Sequence, residues 1–126
     1  LMFLNPTSPF ISSSLINKIV LYYNNKKNNY DSILSTKNLK EYLFMNGTSI
    51  SFDAKKTLKS RSLINVIKQL TNGISIITSK SCFEKKSFIG YKPLFYEIDW
   101  LSSLEIKTID DYKMYDQLIN YYLEKN

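Results

Sequence analysis

The chain has 126 residues, of which 44% are hydrophobic, and carries a formal net charge of +6 at pH 7. This length supports one modest hydrophobic core, so we expect a single domain over residues 1–126. The sequence has no histidine and only one cysteine, Cys82. Within this chain, these two facts exclude a Ser/His/Asp triad, a histidine-ligated metal, an intramolecular disulfide and a thiolate zinc cluster, and they favour a reducing, cytoplasmic setting.

The distribution of the lysines argues against a nucleic acid partner, and the N-terminal stretch argues against a membrane partner. Sixteen of the 17 cationic residues are lysines in separate polar stretches, and Arg61 is the only arginine. Direct readout of bases relies largely on arginine, so we expect these lysines to be solvated rather than to bind nucleic acid. The apolar stretch "LMFL" has no basic leader and ends at Asn5-Pro6, so we expect no membrane partner.

The first segments predict a strand, a loop and a helix in that order. "LMFL" has the composition of a buried strand, and "NPTSPF" (5–10) follows it as a loop stiffened by two prolines. Ser12, Ser13 and Ser14 each offer an N-cap to the helix. The apolar face of that helix consists of Leu15, Ile16, Ile19, Val20 and Tyr23. Ligands of open parallel sheets bind at the carboxyl ends of strands, which is where this loop lies.

The middle of the chain predicts a strand, a hairpin and a helix. "YDSILST" (30–36) alternates as a strand does, and "EYLFMNGTSISF" (41–52) predicts a hairpin turning at Asn46-Gly47, because these residues accept a positive φ. "SRSLINVIKQL" (60–70) has helical spacing. We expect this helix to end at Thr71-Asn72-Gly73, with the glycine as its C-cap.

The last third predicts two strands and a closing helix. "ISIITS" (74–79) and "KPLFYEI" (92–98) have strand composition, and Thr108 with Asp111 has the spacing of a capping pair at a helix start. The apolar stripe of the closing helix is Ile109, Tyr112, Tyr115, Leu118, Ile119, Tyr122 and Leu123. This alternation of strands and helices predicts an α/β fold built around a layered sheet.

Several segments, in their order and rough spacing, resemble one protein family. They are "PTSPF", "NGTSISFD", "TNGISIITSKSCF", "FIGYKPLFYEID" and "SLEIKTIDDYKMYDQL". Together they are similar to the acylneuraminate cytidylyltransferases, which activate sialic acid and related acidic nine-carbon sugars as CMP-sugars. The resemblance implies a three-layer, Rossmann-like nucleotidyltransferase fold with a mostly parallel sheet and helices on both faces. It also implies CTP and an acidic sugar as substrates, and a homodimer with the Asn46-Gly47 hairpin as a candidate interface.

The resemblance covers only the later part of that family's domain. Those enzymes bind CTP with a loop bearing glycine and lysine near the N-terminus, and these 126 residues contain no such loop. A strand pattern that begins at residue 1 without an initiating methionine agrees with a sequence that enters its domain partway through. We therefore expect the C-terminal part of a cytidylyltransferase domain, incomplete at the N-terminus.

The resemblance also implies which residues contact the sugar. Family members often have glutamine before their Pro-Thr-Ser-Pro loop; here that residue is Asn5, a shorter amide able to hydrogen-bond a hydroxyl, and Thr7 and Ser8 match the loop itself. An arginine about ten residues before the family's Asn-Gly pair is suited to grip the sugar carboxylate. Arg61 lies one residue out of that register. A solvated arginine at a helix start is the alternative interpretation.

Asn72 and Gly73 match the family's Asn-Gly pair, with Asn72 as the candidate sugar contact. The same two residues also suit a plain helix C-cap, and both interpretations can hold together. Four residues further on the family has a tyrosine, whereas this chain has Ile76, so one expected contact is missing. Phe88 falls near a family aromatic that lines the sugar pocket, although a phenylalanine before "IGYK" is also typical of a core residue.

The segment "LEIK" (104–107) matches the place where the family holds Mg²⁺ with Asp-Ile-Asp. Glu105 keeps a carboxylate as a metal ligand and catalytic candidate, but Lys107 replaces the second acid by a cation. Like charge at this point opposes metal binding, and the lysine can contact phosphate instead. Asp110 and Asp111 do not supply the lost ligand, because helix capping explains Asp111 and Asp110 is expected to be solvated.

Three functions remain open at this stage, and binding of nucleic acid by a lysine-rich module is the one that the scattered lysines disfavour. The first is transfer of CMP from CTP to a sialic-type acid with release of pyrophosphate, assisted by Mg²⁺ and carried by Glu105 and Lys107. The second is a non-catalytic homologue that acts as a folding or dimerisation domain, because of Lys107, Ile76 and the missing CTP loop.

Overall fold

The computed structural model describes residues 1–56 and 64–125, and side chains as far as residue 121. This part of the chain forms an α/β fold of three helices and six strands, with one 3-10 turn at Leu101–Ser103. In chain order the elements are β1 (Met2–Leu4), α1 (Ser13–Asn24), β2 (Ser32–Leu39), β3 (Phe44–Met45), β4 (Thr48–Ser49), β5 (Ile67–Ile77), α2 (Ser79–Lys85), β6 (Pro93–Glu97) and α3 (Ile109–Lys125). The predicted α/β class is confirmed.

The main sheet is mixed, with the strand order β1-β5-β2-β6. Strand β5 runs antiparallel to both of its neighbours, β1 and β2, while β2 and β6 form the one parallel pair of the described strands. The predicted mostly parallel sheet is therefore wrong. β1, β2 and β6 do share one direction, but β5 is inserted between β1 and β2, so most of the hydrogen-bonded pairs are antiparallel.

One face of the sheet is covered by α1. Ser12 caps this helix as predicted, accepting a hydrogen bond from the Leu15 amide. Ile19 and Tyr23 of α1 are buried against a cluster on the sheet formed by Ile33, Ile74 and Ile98. Burying one such aliphatic side chain stabilises the fold by about 1.5–3 kcal/mol. This contact is the hydrophobic core of the domain.

The opposite face of the sheet carries a row of cross-strand neighbours. Phe3 of β1 pairs with Ser75 of β5, Ser75 with Leu34 of β2, and Leu34 with Phe95 of β6. The ring of Phe88, from the segment after α2, stacks on Phe3 with their centroids 4.7 Å apart. The strand predicted at "LMFL" is confirmed, but its side chains are exposed rather than buried, because β1 lies at the edge of the sheet.

The prediction of a helix at 60–70 is wrong for residues 64–70, the part of this stretch that the structure describes. Residues 67–70 are the first part of strand β5 and pair with residues 36–39 of β2. A short segment with apolar residues at mixed spacing fits either period, and Val66 and Ile67 are β-branched, which favours a strand. Pairing with the central strand then decides the outcome. The glycine C-cap predicted at Gly73 is wrong for the same reason, since β5 continues through it.

The hairpin and the closing helix agree with their predictions. β3 and β4 pair antiparallel, and Asn46 and Gly47 between them have φ of 50° and 79°. Helix α3 begins at Ile109 and buries Tyr115, but Tyr112 of the predicted apolar stripe is exposed, as is Ile109 itself. None of the helices in the described ranges has the length and hydrophobicity required to span a bilayer.

A carboxylate connects the start of β2 to the loop before β6. Asp31 accepts hydrogen bonds from the backbone amides of Tyr91, at 2.7 Å, and Lys92, at 2.9 Å. Desolvation raises the pKa of Asp31, but these bonds and those from hydroxyl groups together lower it below its usual value. A side chain at Gly90 would collide with Asp31 and Ser32, so the loop approaches β2 as closely as glycine permits.

Candidate functional site

A β-bulge in the middle of β5 shapes this end of the sheet. The pairing with β2 jumps from Ser75–Leu34 to Leu70–Thr36, so four residues of β5 lie opposite one residue of β2, Ser35. Asn72 in this bulge has a φ of 57°, a left-handed conformation that asparagine tolerates better than most residues. Bulges of this kind redirect side chains and are frequent beside active sites.

The hydroxyl of Ser35 satisfies the backbone of the bulge. Its Oγ accepts from the Ile74 amide at 3.0 Å and lies 2.8 Å from Thr71 Oγ1. Thr71 Oγ1 donates to the Ser35 carbonyl at 3.1 Å, so its single hydrogen is used and Ser35 must donate in the contact between the two hydroxyls. Both side chains are buried. The conformation of residues 71–74 is thus fixed from inside the protein.

The loop after β1 lies against this bulge. The backbone amide of Asn5 donates to the Gly73 carbonyl at 3.1 Å. A Cβ at Gly73 would lie 3.1 Å from the Ile11 side chain, so the loop and the bulge are in close contact. Within the loop, Asn5 Oδ1 accepts from both the backbone amide and the hydroxyl of Thr7. Ser8 is buried, and its Oγ has no hydrogen-bond partner among the described residues. The amide plane of Asn5 is therefore fixed by Thr7.

The segment 104–107 joins the same loop from the other end of the chain. The Ile106 amide donates to the Thr7 carbonyl at 2.8 Å, and Asn5 Nδ2 donates to Glu105 Oε1 at 3.1 Å across 100 residues of sequence. Glu105 Oε2 lies 3.4 Å from Lys107 Nζ. The structure thus brings Asn5, Thr7, Glu105 and Lys107 into one hydrogen-bonded group.

The start of α3 is capped as the sequence predicts. Asp111 Oδ2 accepts from the backbone amides of Lys107 and Thr108, and the Asp111 amide donates to Thr108 Oγ1. The hydrogen bond from the Lys107 amide is the largest influence holding the pKa of Asp111 below its usual value. Asp110 is exposed and pairs with Lys113 at 3.8 Å, in agreement with its predicted solvation.

Two cavities flank this group of residues. The first has a volume of about 340 Å³ and apolar walls that include Phe3, Leu34 and Phe88, with Asn5, Asn72 and Ser75 as polar members. The second, of about 220 Å³, is polar and lined by Glu105, Lys107, Asp111, Lys37, Gln69 and Tyr115, among others. Leu70 borders both cavities, and the hydrogen bond between Asn5 and Glu105 connects them.

Most of the predicted site residues are brought together, although they come from four segments of the chain. Asn72 and Phe88 line the first cavity, Gly73 packs against the loop, and Glu105 and Lys107 line the second cavity. Arg61 lies outside the described residues. Ile76 faces α1 and packs against the core, so it lies on the side of the sheet away from the first cavity.

Sequence reasoning missed four residues of this region: Ser35, Thr71, Ser75 and Lys37. The two serines lie within predicted strands and the threonine at the predicted end of a helix, and nothing local distinguishes a buried hydroxyl from a solvated one. A buried hydroxyl requires a partner from elsewhere in the fold, and that partner is visible only in three dimensions. Lys37 extends β2 past its predicted end at residue 36, which brings its side chain to the second cavity.

The residues around Glu105 do not fit a magnesium site. In the described ranges no three acidic, histidine or cysteine side chains come together as a metal-binding group. Mg²⁺ requires about six oxygen ligands, typically with one or two carboxylates. Here Asn5 and Lys107 occupy the two oxygens of Glu105, and two backbone amides occupy Asp111 Oδ2.

Comparison with models of protein families and with curated proteins gives no match for this chain.

Proposed function

We propose that the bulge of β5, the loop at 5–8 and the segment 104–107 form the sugar-acid site of a cytidylyltransferase. The reaction is the transfer of CMP from CTP to an acidic nine-carbon sugar, with release of pyrophosphate. The observation that carries the proposal is the hydrogen-bonded path from Gly73 through Asn5 to Glu105. It unites residues that the family resemblance assigns to one site from three distant parts of the sequence.

The amide groups suit the recognition of sugar hydroxyls. Asn5 uses its oxygen for Thr7 and one Nδ2 hydrogen for Glu105, which leaves one hydrogen as a donor. Asn72 presents its side chain to the same cavity from a left-handed backbone that only a few residue types adopt. Both amides are held on fixed backbone, so little conformational entropy is lost when they bind a ligand.

The first cavity has the dimensions of a small-molecule site. Its volume of about 340 Å³ falls in the usual range for ligand pockets, and its apolar walls with a few polar groups are typical of such sites. The stacked rings of Phe3 and Phe88 can cover the carbon face and acyl group of a sugar. The carboxylate of the sugar then faces the second cavity, where Lys37 and Lys107 contribute positive charge.

The chemistry asks little of this chain beyond positioning and charge. The anomeric hydroxyl attacks the α-phosphate of CTP, and the bond to the leaving pyrophosphate breaks. Holding the sugar in a fixed orientation converts the encounter into a step within one complex. The ammonium of Lys107, itself held by Glu105, can stabilise negative charge as it develops on phosphate. No step is assigned to a metal, because the residues at Glu105 do not fit one.

Sugar binding by this 126-residue chain tests the proposal. Titration with N-acetylneuraminate, followed by calorimetry or NMR, is expected to show binding that Asn72→Gly weakens about 3- to 10-fold, the value of one neutral hydrogen bond. Glycine keeps the positive φ of residue 72 and removes only the amide. Asn46→Gly is the matched control, since Asn46 has a similar φ of 50° in the distant hairpin.

Equal binding by the wild type and Asn72→Gly, or no binding by either, would refute this assignment of the site. The catalytic part is measured separately. Pyrophosphate is expected to be released from CTP only when the acidic sugar is present.

A non-catalytic homologue is the second candidate, and the ion pair between Glu105 and Lys107 favours it, because the family's metal position is neutralised. The remaining role in that case is folding or assembly of a homodimer. The hairpin β3–β4 presents Phe44 and Met45 to solvent, with 60% and 61% of their surfaces exposed. Sugar binding without release of pyrophosphate would support this candidate.

A further inference from the structure

The ion pair of Glu105 and Lys107 differs from an ordinary surface pair in how firmly the Glu105 carboxylate and the backbone of Lys107 are held. The Glu105 side chain is only 18% exposed, and Asn5 fixes one of its oxygens. The backbone on either side of Lys107 is also fixed, by the hydrogen bond from Ile106 to Thr7 and by the bond from the Lys107 amide to Asp111. Lys107 therefore starts from a defined position and ends 3.4 Å from a largely buried carboxylate.

We propose that the ammonium of Lys107 stands in the place of a divalent cation at Glu105, so that this site binds anionic groups without taking up Mg²⁺ or Mn²⁺. The part of the proposal that concerns metal ions stands on the geometry of Glu105 and Lys107 alone. The part that concerns the anionic ligand rests on the proposed function, which makes it a sugar carboxylate or a phosphate.

The contacts of Glu105 oppose a divalent cation as the chain is folded. A metal at Oε2 would have to displace the Lys107 ammonium or lie beside its positive charge, and a metal at Oε1 would have to share that oxygen with the side-chain amide of Asn5. Asp111 is the other acid that lines the same cavity, and its Oδ2 is committed to the cap of α3. A metal ion that used these oxygens would weaken the ion pair, the contact of Asn5 or the helix cap.

An ammonium group gives the site different properties from a metal. It carries a single charge and donates hydrogen bonds to anion oxygens, whereas a metal ion accepts their lone pairs. Lys37 lines the same cavity and supplies a second ammonium group. Anion binding by this pair is sensitive to ionic strength, because exposed charges are screened by salt, but it is insensitive to chelators and to divalent cations.

Direct measurement of metal binding tests the proposal without any assay of activity. Mn²⁺ is titrated into the 126-residue chain, and the free ion is followed by its paramagnetic resonance signal. We expect no binding that depends on Glu105 in the wild type, and at least about tenfold tighter binding after Lys107→Asp, which adds a carboxylate and removes the cation.

Lys113→Asp is the matched control for this change of charge. Lys113 has nearly the same side-chain exposure as Lys107, 70% against 67%, and also pairs with an acid. It is expected to bind Mn²⁺ as the wild type does. Equal Mn²⁺ affinity of the two aspartate variants would overturn the proposal, as would wild-type binding that Glu105→Gln abolishes.

A second titration addresses the ligand. N-acetylneuraminate is expected to bind the wild type with the same affinity in EDTA and in millimolar Mg²⁺, and Lys107→Met is expected to weaken this binding about tenfold. Binding that requires Mg²⁺ would overturn the proposal. If the sugar does not bind at all, the proposed function fails together with the part concerning the ligand, while the Mn²⁺ titration still decides the part concerning metal ions.

Discussion

Replacement of Ser35 by alanine tests whether the bulge of β5 is fixed by a single buried hydroxyl. The change removes the acceptor of the Ile74 amide and the donor to Thr71, and it alters the volume of the side chain very little. A buried amide left without a partner costs about 1–3 kcal/mol, and the lost contact to Thr71 adds about 0.5–1.5 kcal/mol. Thr71 keeps its bond to the Ser35 carbonyl, so the expected total is about 2–4 kcal/mol.

Ser75→Ala in β5, the strand that faces Ser35, is the control. Ser75 is also buried, but its hydroxyl has no hydrogen-bond partner among the described residues. Removing an unpaired hydroxyl from an apolar wall is neutral or slightly stabilising, because the cost of desolvation disappears with the group. The two variants therefore make the same chemical change, on facing strands, with opposite expected results.

Urea denaturation followed by circular dichroism measures both effects. With a slope of about 1–3 kcal/mol per molar urea, the midpoint of Ser35→Ala is expected to fall by about 0.7–4 M, while that of Ser75→Ala stays within about 0.3 M of the wild type. Equal midpoints for the two variants would refute the account of the bulge. If only Ser35→Ala is destabilised, this variant should also bind the sugar more weakly than the wild type, because Asn72 belongs to the same bulge.

Two further predictions concern the loop before β6 and the hairpin. The pKa of Asp31 is lowered in the folded state, so its contribution to stability is present above its unfolded pKa and is lost as the pH falls through the folded value. In urea titrations, Asp31→Asn should be less stable than the wild type near pH 7, and the difference in stability should shrink below about pH 4. A difference that stays constant with pH would contradict this account of Asp31. If Phe44 and Met45 form a dimer interface, sedimentation should show a dimer, and the double variant Phe44→Ser, Met45→Ser should be a monomer. A wild-type monomer, or a dimer that the two substitutions leave unchanged, would contradict this interface.

The elements predicted best are those with local signals. The N-cap at Ser12, the Asn46-Gly47 turn and the capping pair at Thr108 and Asp111 all depend on residues within a few positions of each other, and all three are confirmed. The first part of β5 is predicted as a helix from its local spacing, but pairing with β2, about 30 residues earlier in the chain, makes it a strand. Local spacing does not contain this information. The order and direction of strands are non-local in the same way.

The candidate site shows the same division between local and non-local information. The family resemblance assigned Asn5, Asn72 and Glu105 to one site, and the structure connects Asn5 to Glu105 and places Asn5 and Asn72 in one cavity. The sequence predicted that Asn72-Gly73 ends a helix, whereas the structure has this pair in a bulge, with a φ of 57° at Asn72. The partners of Ser35 and the unpaired hydroxyl of Ser75 could not be predicted, because each depends on which strand lies opposite.

The order of the strands also determines when the protein can fold during its synthesis. β1 pairs with residues 74–76, and β2 pairs with residues 67–77 and 93–97. The hydrogen bond from Asn5 to Glu105 also requires a residue that is made much later. At about 5–20 residues per second, Glu105 follows Asn5 by roughly 5 to 20 seconds of translation. Until residues 67–77 have been made, β1 and β2 have no partner strand among the described residues of the chain. The sheet therefore cannot begin to pair around β5 until this strand has been made, and its parallel pair β2–β6 must wait for residues 93–97.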